Sequence, residues 1–362
     1  MEYRYYITTA IAILSLQFLL FNFSRTVSWL LNLSAKSRKI VMVSSYIVAN
    51  TLIILHVTRT LHSFRTVALM LALLLFIFFI RVICIAVYTV FKRAVDPTKL
   101  HQWLRIAYLP ALSGLIGFTL YNAYIPKVEH YQVTLNKPLE TPIKIGMASD
   151  FHLGKLFGSK QLDNLAAIFE REKVDLILLP GDIMDDNVEA YLAENMQPNL
   201  EKLKAPLGVY ATMGNHDLFG AEKAIYDELT KAGIHVLWDQ AVEIDGKFAI
   251  VGRNDELVKT RPTTEQLLKE VNTDVPVFLM DHRPTQIEEH SKLPIDIQVS
   301  GHAHKGQIFP ANLITSLIYR LDYGYEQIGN GHFFVTSGYG FWGIPMRLGS
   351  QSEVMIIEVK GK

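Results

Sequence analysis

Asp150 and His152 stand two positions apart at the end of a run of small and apolar residues, Ile145-Gly-Met-Ala-Ser-Asp150-Phe-His152. A carboxylate and an imidazole at i and i+2 of an extended segment project to the same side and can grip one cation. Four later stretches have the same form: Gly181-Asp182-Ile-Met-Asp185-Asp186, Gly214-Asn215-His216-Asp217, Asp281-His282 and Gly301-His302-Ala-His304. Each follows an apolar run. Any one Asp or Asn in such a place could be a turn former. Turn chemistry does not also require histidine at four of the five ends, so together they read as a metal-binding constellation.

The candidate ligands are Asp150, His152, Asp182, Asn215, His216, His282, His302 and His304. Seven of these donors suffice for two cations. Carboxylate, amide oxygen and imidazole suit Mn²⁺, Fe or Zn²⁺. Two such ions about 3.5–4 Å apart can clamp the attacking and leaving oxygens of a phosphate ester and make hydroxide available near neutral pH. The single cysteine, Cys84, lies in an apolar span, so a thiolate zinc site is excluded from the globular part and no intrachain disulfide can form.

The elements that must position these residues alternate between apolar strand and amphipathic helix, the pattern of an α/β sheet. The spacing predicts strands over Ile143–Ser149, Val174–Pro180, Val209–Met213, Val275–Met280 and Ile295–Ser300, each delivering candidates at its C-terminal end, where open α/β sheets bind ligands. Phe333–Ser337 and Val354–Val359 complete the strands. Helices are expected over Lys160–Lys173, with Ser159 as N-cap, and over Ala221–Ala232. Asp245-Gly246 marks a hairpin. Residues 127–142 read as an extended connector whose alternation suits an edge strand, and Ala311–Tyr325 reads as an amphipathic helix that serves as a lid, rests on a bilayer or packs in the core.

The first third is different. The chain is 50% hydrophobic with mean hydropathy +0.20, and the excess is concentrated there. Four apolar segments, Ile7–Phe23, Ile40–Val57, Val67–Phe91 and Leu104–Ile125, match spans of roughly 20 residues. No small-x-small cleavage site follows the first, so it reads as an anchor rather than a signal peptide. Arg25, Lys36, Arg38, Lys39 and then Lys92, Arg93 and Lys99 place the first and third loops on the cytoplasmic side, and the globular part outside. Arg81, deep in the third span, is expected to snorkel or to pair with a neighbouring helix. Formal net charge is zero, with no basic stripe to suggest a nucleic-acid partner.

Asp-x-His, Gly-Asp-x-x-Asp, Gly-Asn-His-Asp, a lone His after a strand, and Gly-His-x-His, in this order, resemble the calcineurin-like metallophosphoesterase family from about Ile143 to the C-terminus. More narrowly they resemble its membrane-associated bacterial branch. The resemblance implies a four-layer α/β/β/α sandwich behind four transmembrane helices: residues 1–126 in the membrane, 127–142 a connector and 143–362 the enzyme. It further implies that Asp150, His152, Asp182 and His304 hold one metal. Asp182 would bridge to a second, held also by Asn215, His282 and His302. His216 would protonate the leaving oxygen, with Asp185 orienting it and Asp217 as the competing partner. The branch usually reads Gly-His-Thr-His-Gly-Gly-Gln, where this chain has Gly301-His-Ala-His-Lys305-Gly-Gln307. Arg347, in Gly338-Tyr-Gly-Phe-Trp-Gly-Ile-Pro-Met-Arg347, is the candidate phosphate clamp.

The implied protein is a membrane-anchored hydrolase of a bacterial-type inner membrane. It would cleave a phosphodiester or pyrophosphate bond by attack of metal-bound hydroxide, on a phosphorylated and lipid-linked substrate. A phosphomonoesterase or phosphoprotein phosphatase, a non-catalytic membrane sensor that keeps the fold, and a transporter are the other readings.

Overall fold

A computed structural model of the chain describes residues 2–61 and 64–362. Two compact units divide it, Met1–Thr119 and Leu120–Lys362.

The first unit is helical. Its helices are α1 (Glu2–Leu30), α2 (Ala35–Val57), α3 (Phe64–Phe91) and α4 (Pro97–Tyr124), whose last turn belongs to the second unit. All four contain stretches long and apolar enough to cross a membrane, and they run longer than the apolar runs alone suggest. Ser34 caps α2 by accepting from the Ser37 N–H. Tyr46 Oη donates to the Gln17 carbonyl and Gln17 Nε2 to Asn50 Oδ1, so α1 and α2 share polar groups that apolar surroundings could not otherwise satisfy.

After the last turn of α4 the second unit continues with β1 (Lys127–Thr134), followed by β2 (Ile143–Met147), α5 (Ser159–Glu172), β3 (Leu176–Pro180), α6 (Glu189–Ala193), α7 (Gln197–Leu200), β4 (Val209–Thr212), α8 (Glu222–Lys231) and β5 (His235–Val236). Next come the hairpin β6 (Gln240–Ile244) and β7 (Phe248–Arg253), then α9 (Thr264–Leu268), β8 (Val277–Asp281), α10 (Ile287–His290), β9 (Ile297–Ser300) and α11 (Ala311–Ile318). The last strands are β10 (Gly324–Ile328), β11 (Gly331–Val335) and β12 (Glu353–Lys360).

Two six-stranded sheets result, ordered β1-β12-β2-β3-β4-β5 and β10-β11-β9-β8-β7-β6. Their facing sides interdigitate Ile145, Leu178 and Met355 from one sheet with Phe248, Phe278 and Phe334 from the other. The outer face of the first sheet is covered by α5 and α8 through Leu162, Leu165, Ile225 and Leu229. That of the second is covered by α9 through Leu267 and Leu268. This is the expected α/β/β/α sandwich. The central strands β2, β3 and β4 run parallel, as do β7, β8 and β9, so their C-terminal ends open on one edge of each sheet.

Two local expectations need correction. Ser159 is the first residue of α5 rather than its cap; the cap is Gly158, whose N–H donates to Gln161 Oε1 at 3.0 Å. The amphipathic helix stops at Ile318, because Tyr325 belongs to β10 and pairs with Phe334 of β11. Alternation in a five-residue edge strand is too brief to separate from helical spacing.

Candidate metal centre

Asp150 and His152 do not reach the site by strand alternation. β2 ends at Met147, and both residues lie beyond it with left-handed backbones, φ 56° and 48°. Asp182, His302 and His304 share that conformation, at φ 53°, 68° and 47°. Left-handed non-glycine residues cost of order 1–3 kcal/mol each and gather where function over-determines the backbone. Cross-links between the loops hold them there. The Asp150 N–H donates to the Gly181 carbonyl, the His152 N–H to that of Asp182, and the His302 N–H to Asp150 Oδ1 at 3.0 Å.

The loops also approach too closely for side chains. A Cβ on Gly214 would lie 2.2 Å from Asp182 Oδ1, and one on Gly301 2.2 Å from Asp150 Oδ2. Glycine is therefore required at both positions.

Two clusters of donors result. Ligand atoms of Asp150, His152 and His304 lie within 4.8 Å of one another, as do those of Asp182, His282 and His302. His152 Nε2, 3.9 Å from Asp182 Oδ2, joins the clusters. All seven expected ligands lie at strand ends on this edge, and Asn215 Oδ1 is buried with no hydrogen-bond donor among the described residues.

The tautomers test whether cations fit. His282 Nδ1 donates to the Pro180 carbonyl at 2.7 Å, which turns Nε2 toward Asp182 Oδ2 at 3.1 Å. His152 Nε2 and His304 Nε2 face each other at 3.2 Å. Opposed acceptors repel unless a proton or a cation lies between them, so this donor set fits metal ions. The same pressure governs the ionisation of the bare site. Burial disfavours an imidazolium at His282, yet Asp182 outweighs it and raises its pKa to about 10. Burial alone pushes Asp182 up, but His282 holds it well below the usual carboxylate range. Burial takes His152 and His302 down to about 3, and Asp150 up to about 6.

His216 stands beside these clusters, its ring edge-on to His152 with centroids 4.8 Å apart. Its carboxylate partner is Asp186, with Oδ1 2.5 Å from Nδ1, rather than the expected Asp185. Asp185 Oδ1 lies 3.8 Å from His152 Nδ1. Asp217, the other candidate, is fully buried and accepts from the N–H groups of Ile183, Met184 and Gly214, tying the loop after β3 to that after β4. The doublet Asp185-Asp186 carried the missed signal. The left-handed turn at Asp186 (φ 67°) selects its second member.

Arg347 is not a phosphate clamp. It is fully buried. Its guanidinium donates to the carbonyls of Gly338 and Gly340 and sits 3.2 Å from His304 Nδ1, behind the ligand. Lys305, the departure from the usual motif, lays its ammonium 4.0 Å from the Tyr323 ring centroid.

Comparison with known proteins agrees with this geometry. The calcineurin-like phosphoesterase profile matches residues 143–306. An uncharacterised metallophosphoesterase of Aquifex aeolicus is 36% identical over 262 residues, 69% of this chain and 98% of that protein. The chain belongs to the calcineurin-like metallophosphoesterases. As a member it is a phosphoric ester hydrolase with a metal-binding site. A metallophosphoesterase of Helicobacter pylori is 30% identical over 273 residues, covering 73% of this metallophosphoesterase and 72% of the relative. A Danio rerio protein named as a transmembrane protein with a metallophosphoesterase domain is 26% identical over 275 residues, 71% of this chain and 62% of that one.

Proposed function

We propose that this metallophosphoesterase holds two divalent cations and hydrolyses a phosphodiester or pyrophosphate bond in a lipid-linked substrate. Asp150, His152 and His304 would hold one ion, and Asn215, His282 and His302 the other, with Asp182 shared. Mn²⁺, Fe and Zn²⁺ all suit these donors. The observation that carries the reading is the convergence of two donor clusters on one carboxylate, with His282 Nε2 facing Asp182 Oδ2 at 3.1 Å. When bound, such ions supply Lewis acidity to the phosphoryl oxygens and acidify water.

The chain's own contribution to the reaction centres on His216. Asp186 at Nδ1 fixes the ring so that Nε2 carries a proton toward the leaving oxygen. Burial opposes charge on His216, but the bond to Asp186 and the field of Asp182 outweigh it, so its pKa lies above the ordinary histidine value. The imidazolium is therefore the form available for donation.

Two features favour a lipid-linked substrate over a soluble one. Phe219 and Trp342 flank the His216 ring at centroid distances of 5.1 and 6.1 Å, and both are exposed. Helix α11, whose C-cap Tyr319 faces the His302 ring, exposes Leu313, Ile314, Leu317 and Ile318. The basic residues of the first and third helix connections favour a catalytic unit on the extracytoplasmic face of a bacterial-type inner membrane.

The test uses the full chain in detergent, stripped of metal and reloaded with Mn²⁺. Bis(p-nitrophenyl) phosphate and p-nitrophenyl phosphate are compared, and metal per chain is counted. The reading expects two ions and preferred diester cleavage. It further expects loss of turnover by about 10²–10⁴ in His216→Ala, and the loss of at least one ion in Asp182→Asn. A single ion at saturation would overturn the two-cation reading. Preference for the monoester would favour a phosphomonoesterase.

A further inference from the structure

Among the described residues Arg81 has no hydrogen-bond acceptor. Ten residues before the end of α3, its guanidinium lies 4.6 Å from the ring centroid of Trp29, the penultimate residue of α1. The side chain thus reaches the level at which α1 ends and α4 begins. A face-on indole satisfies part of the charge but none of the five N–H donors. Among the described residues no carboxylate or carbonyl is hydrogen-bonded to them. An intramembrane arginine costs about 2.5–3.5 kcal/mol at a helix centre even on the most lenient scales, and such residues mark ligands or pathways.

The guanidinium opens on a cavity of about 250 Å³, lined by Trp29, Arg81, Cys84, Tyr88, His101 and Leu104. Trp29 Nε1 donates to His101 Nε2 at 2.7 Å, so the remaining His101 proton is on Nδ1. Tyr88 packs edge-on against the same imidazole, with centroids 5.9 Å apart. The volume lies below the roughly 300–1,000 Å³ of a drug-sized ligand pocket. One headgroup fits it better than a cofactor.

Charge selects the occupant. In Met1–Thr119 the only carboxylate side chains are Glu2 and Asp96, and Asp96 is turned onto the Lys99 N–H at 2.9 Å. Arg25, Lys36, Arg38, Lys39, Lys92, Arg93, Lys99 and Arg105 crowd the same end of the helices. Basic pockets between spans at a basic membrane face bind anionic lipid headgroups. Planar guanidinium donors match the two free oxygens of a phosphodiester. Ile85 lines the cavity and is half exposed, which offers an apolar wall to an acyl chain.

We propose that Arg81, with Trp29, Tyr88 and His101, forms a site for the phosphodiester headgroup of an anionic phospholipid in the leaflet facing the first and third helix connections. The site is separate from the metal centre and belongs to the helical unit alone.

The experiment is native mass spectrometry of the full chain, delipidated in detergent and titrated with phosphatidylglycerol or phosphatidylcholine. Unfolding temperature is followed in parallel. The wild type should retain phosphatidylglycerol in preference and be stabilised by it. Arg81→Gln should weaken that binding at least tenfold while hydrolysis of bis(p-nitrophenyl) phosphate stays intact, which also reports folding. Arg81→Lys, which keeps a cation but not the planar fork, should fall between them and supports the assignment should the glutamine variant fail to fold. Equal binding of phosphatidylglycerol by wild type and Arg81 variants would overturn the proposal. So would full displacement of the lipid by glycerol 3-phosphate, which would assign the cavity to a soluble anion.

Discussion

His216 Nδ1 and Asp186 Oδ1 are 2.5 Å apart, and the His216 N–H donates to Asp182 Oδ1 at 2.8 Å, so the pair is tied to the donor clusters through the backbone. The carboxylate is half exposed and the imidazole largely covered, so the pair links solvent to the reacting edge of the site. Its consequence is directional. A histidine held protonated by a carboxylate acts as an acid up to its raised pKa and loses that capacity above it.

Asp186→Asn removes the charge and keeps the shape. The His216 pKa should fall, so the alkaline limb of the kcat profile should move to lower pH, with kcat at pH 8 down by about 10–100-fold from the loss of a charge-assisted bond worth roughly 1.5–3 kcal/mol. Metal content should stay at the wild-type level. An unshifted limb would assign the proton to another donor.

Arg347 gives the opposite contrast. Were it a clamp, Arg347→Ala would raise KM and leave the fold alone. Buried behind His304, it should instead cost stability, at least about 3 kcal/mol given roughly 1–3 kcal/mol for each buried acceptor left unpaired at Gly338, Gly340 and His304. Thermal unfolding of metal-free protein separates the outcomes, because a clamp has no effect there.

Much of this site is legible in the sequence. Histidine at successive strand ends is chemically informative because neither packing nor turn formation selects for it, so Asp150, His152, Asp182, Asn215, His282, His302 and His304 all stood out. What was not legible depends on short-range backbone geometry. Asp185 and Asp186 are chemically identical neighbours, and only the left-handed turn decides which one faces His216. Arg347 is indistinguishable in sequence from an exposed arginine; its burial follows from the loop Gly338–Gly340, pinned by the N–H groups of Tyr339 and Gly340 to the carbonyls of Ser149 and Asp150. The central strands are legible as apolar runs, whereas Gly324 and Tyr325 of β10 read as the end of a helix and the rest of β10 gives no signal, because its residues alternate over too short a span.

His290 is structural, and its ionisation should be visible in stability. Nδ1 donates to Gln298 Oε1 and Nε2 pairs with Thr264 Oγ1, both at 2.8 Å, and in the neutral ring that burial favours Nε2 accepts from the hydroxyl. Burial lowers its pKa in the folded state. Its stabilising contribution is therefore full above the unfolded value of about 6.5 and is lost as pH falls below it toward the depressed folded value. His290→Phe should destabilise by about 1–3 kcal/mol at pH 7.5. The difference between the two unfolding temperatures should narrow at pH 5.5, and a difference that widens instead would contradict the neutral assignment.

Leu317 tests how substrate arrives. It is 87% exposed on α11, beside the half-exposed Leu313 and Ile314, in a segment tied down where Lys127 Nζ donates to Tyr323 Oη at 2.5 Å. Lys127 opens β1, three positions after the last residue of α4. A helix with such a face gains about 1.5–3 kcal/mol for each large aliphatic side chain it buries in lipid. Leu317→Glu should therefore cut turnover of a long-chain lipid diphosphate in vesicles by about 10–100-fold, each 1.4 kcal/mol being tenfold. Cleavage of bis(p-nitrophenyl) phosphate in detergent should be unchanged, since Leu317 touches no ligand. Equal losses on both substrates would mean that α11 supports the metal site itself, and equal retention on both would mean that the substrate does not come from the bilayer past this helix.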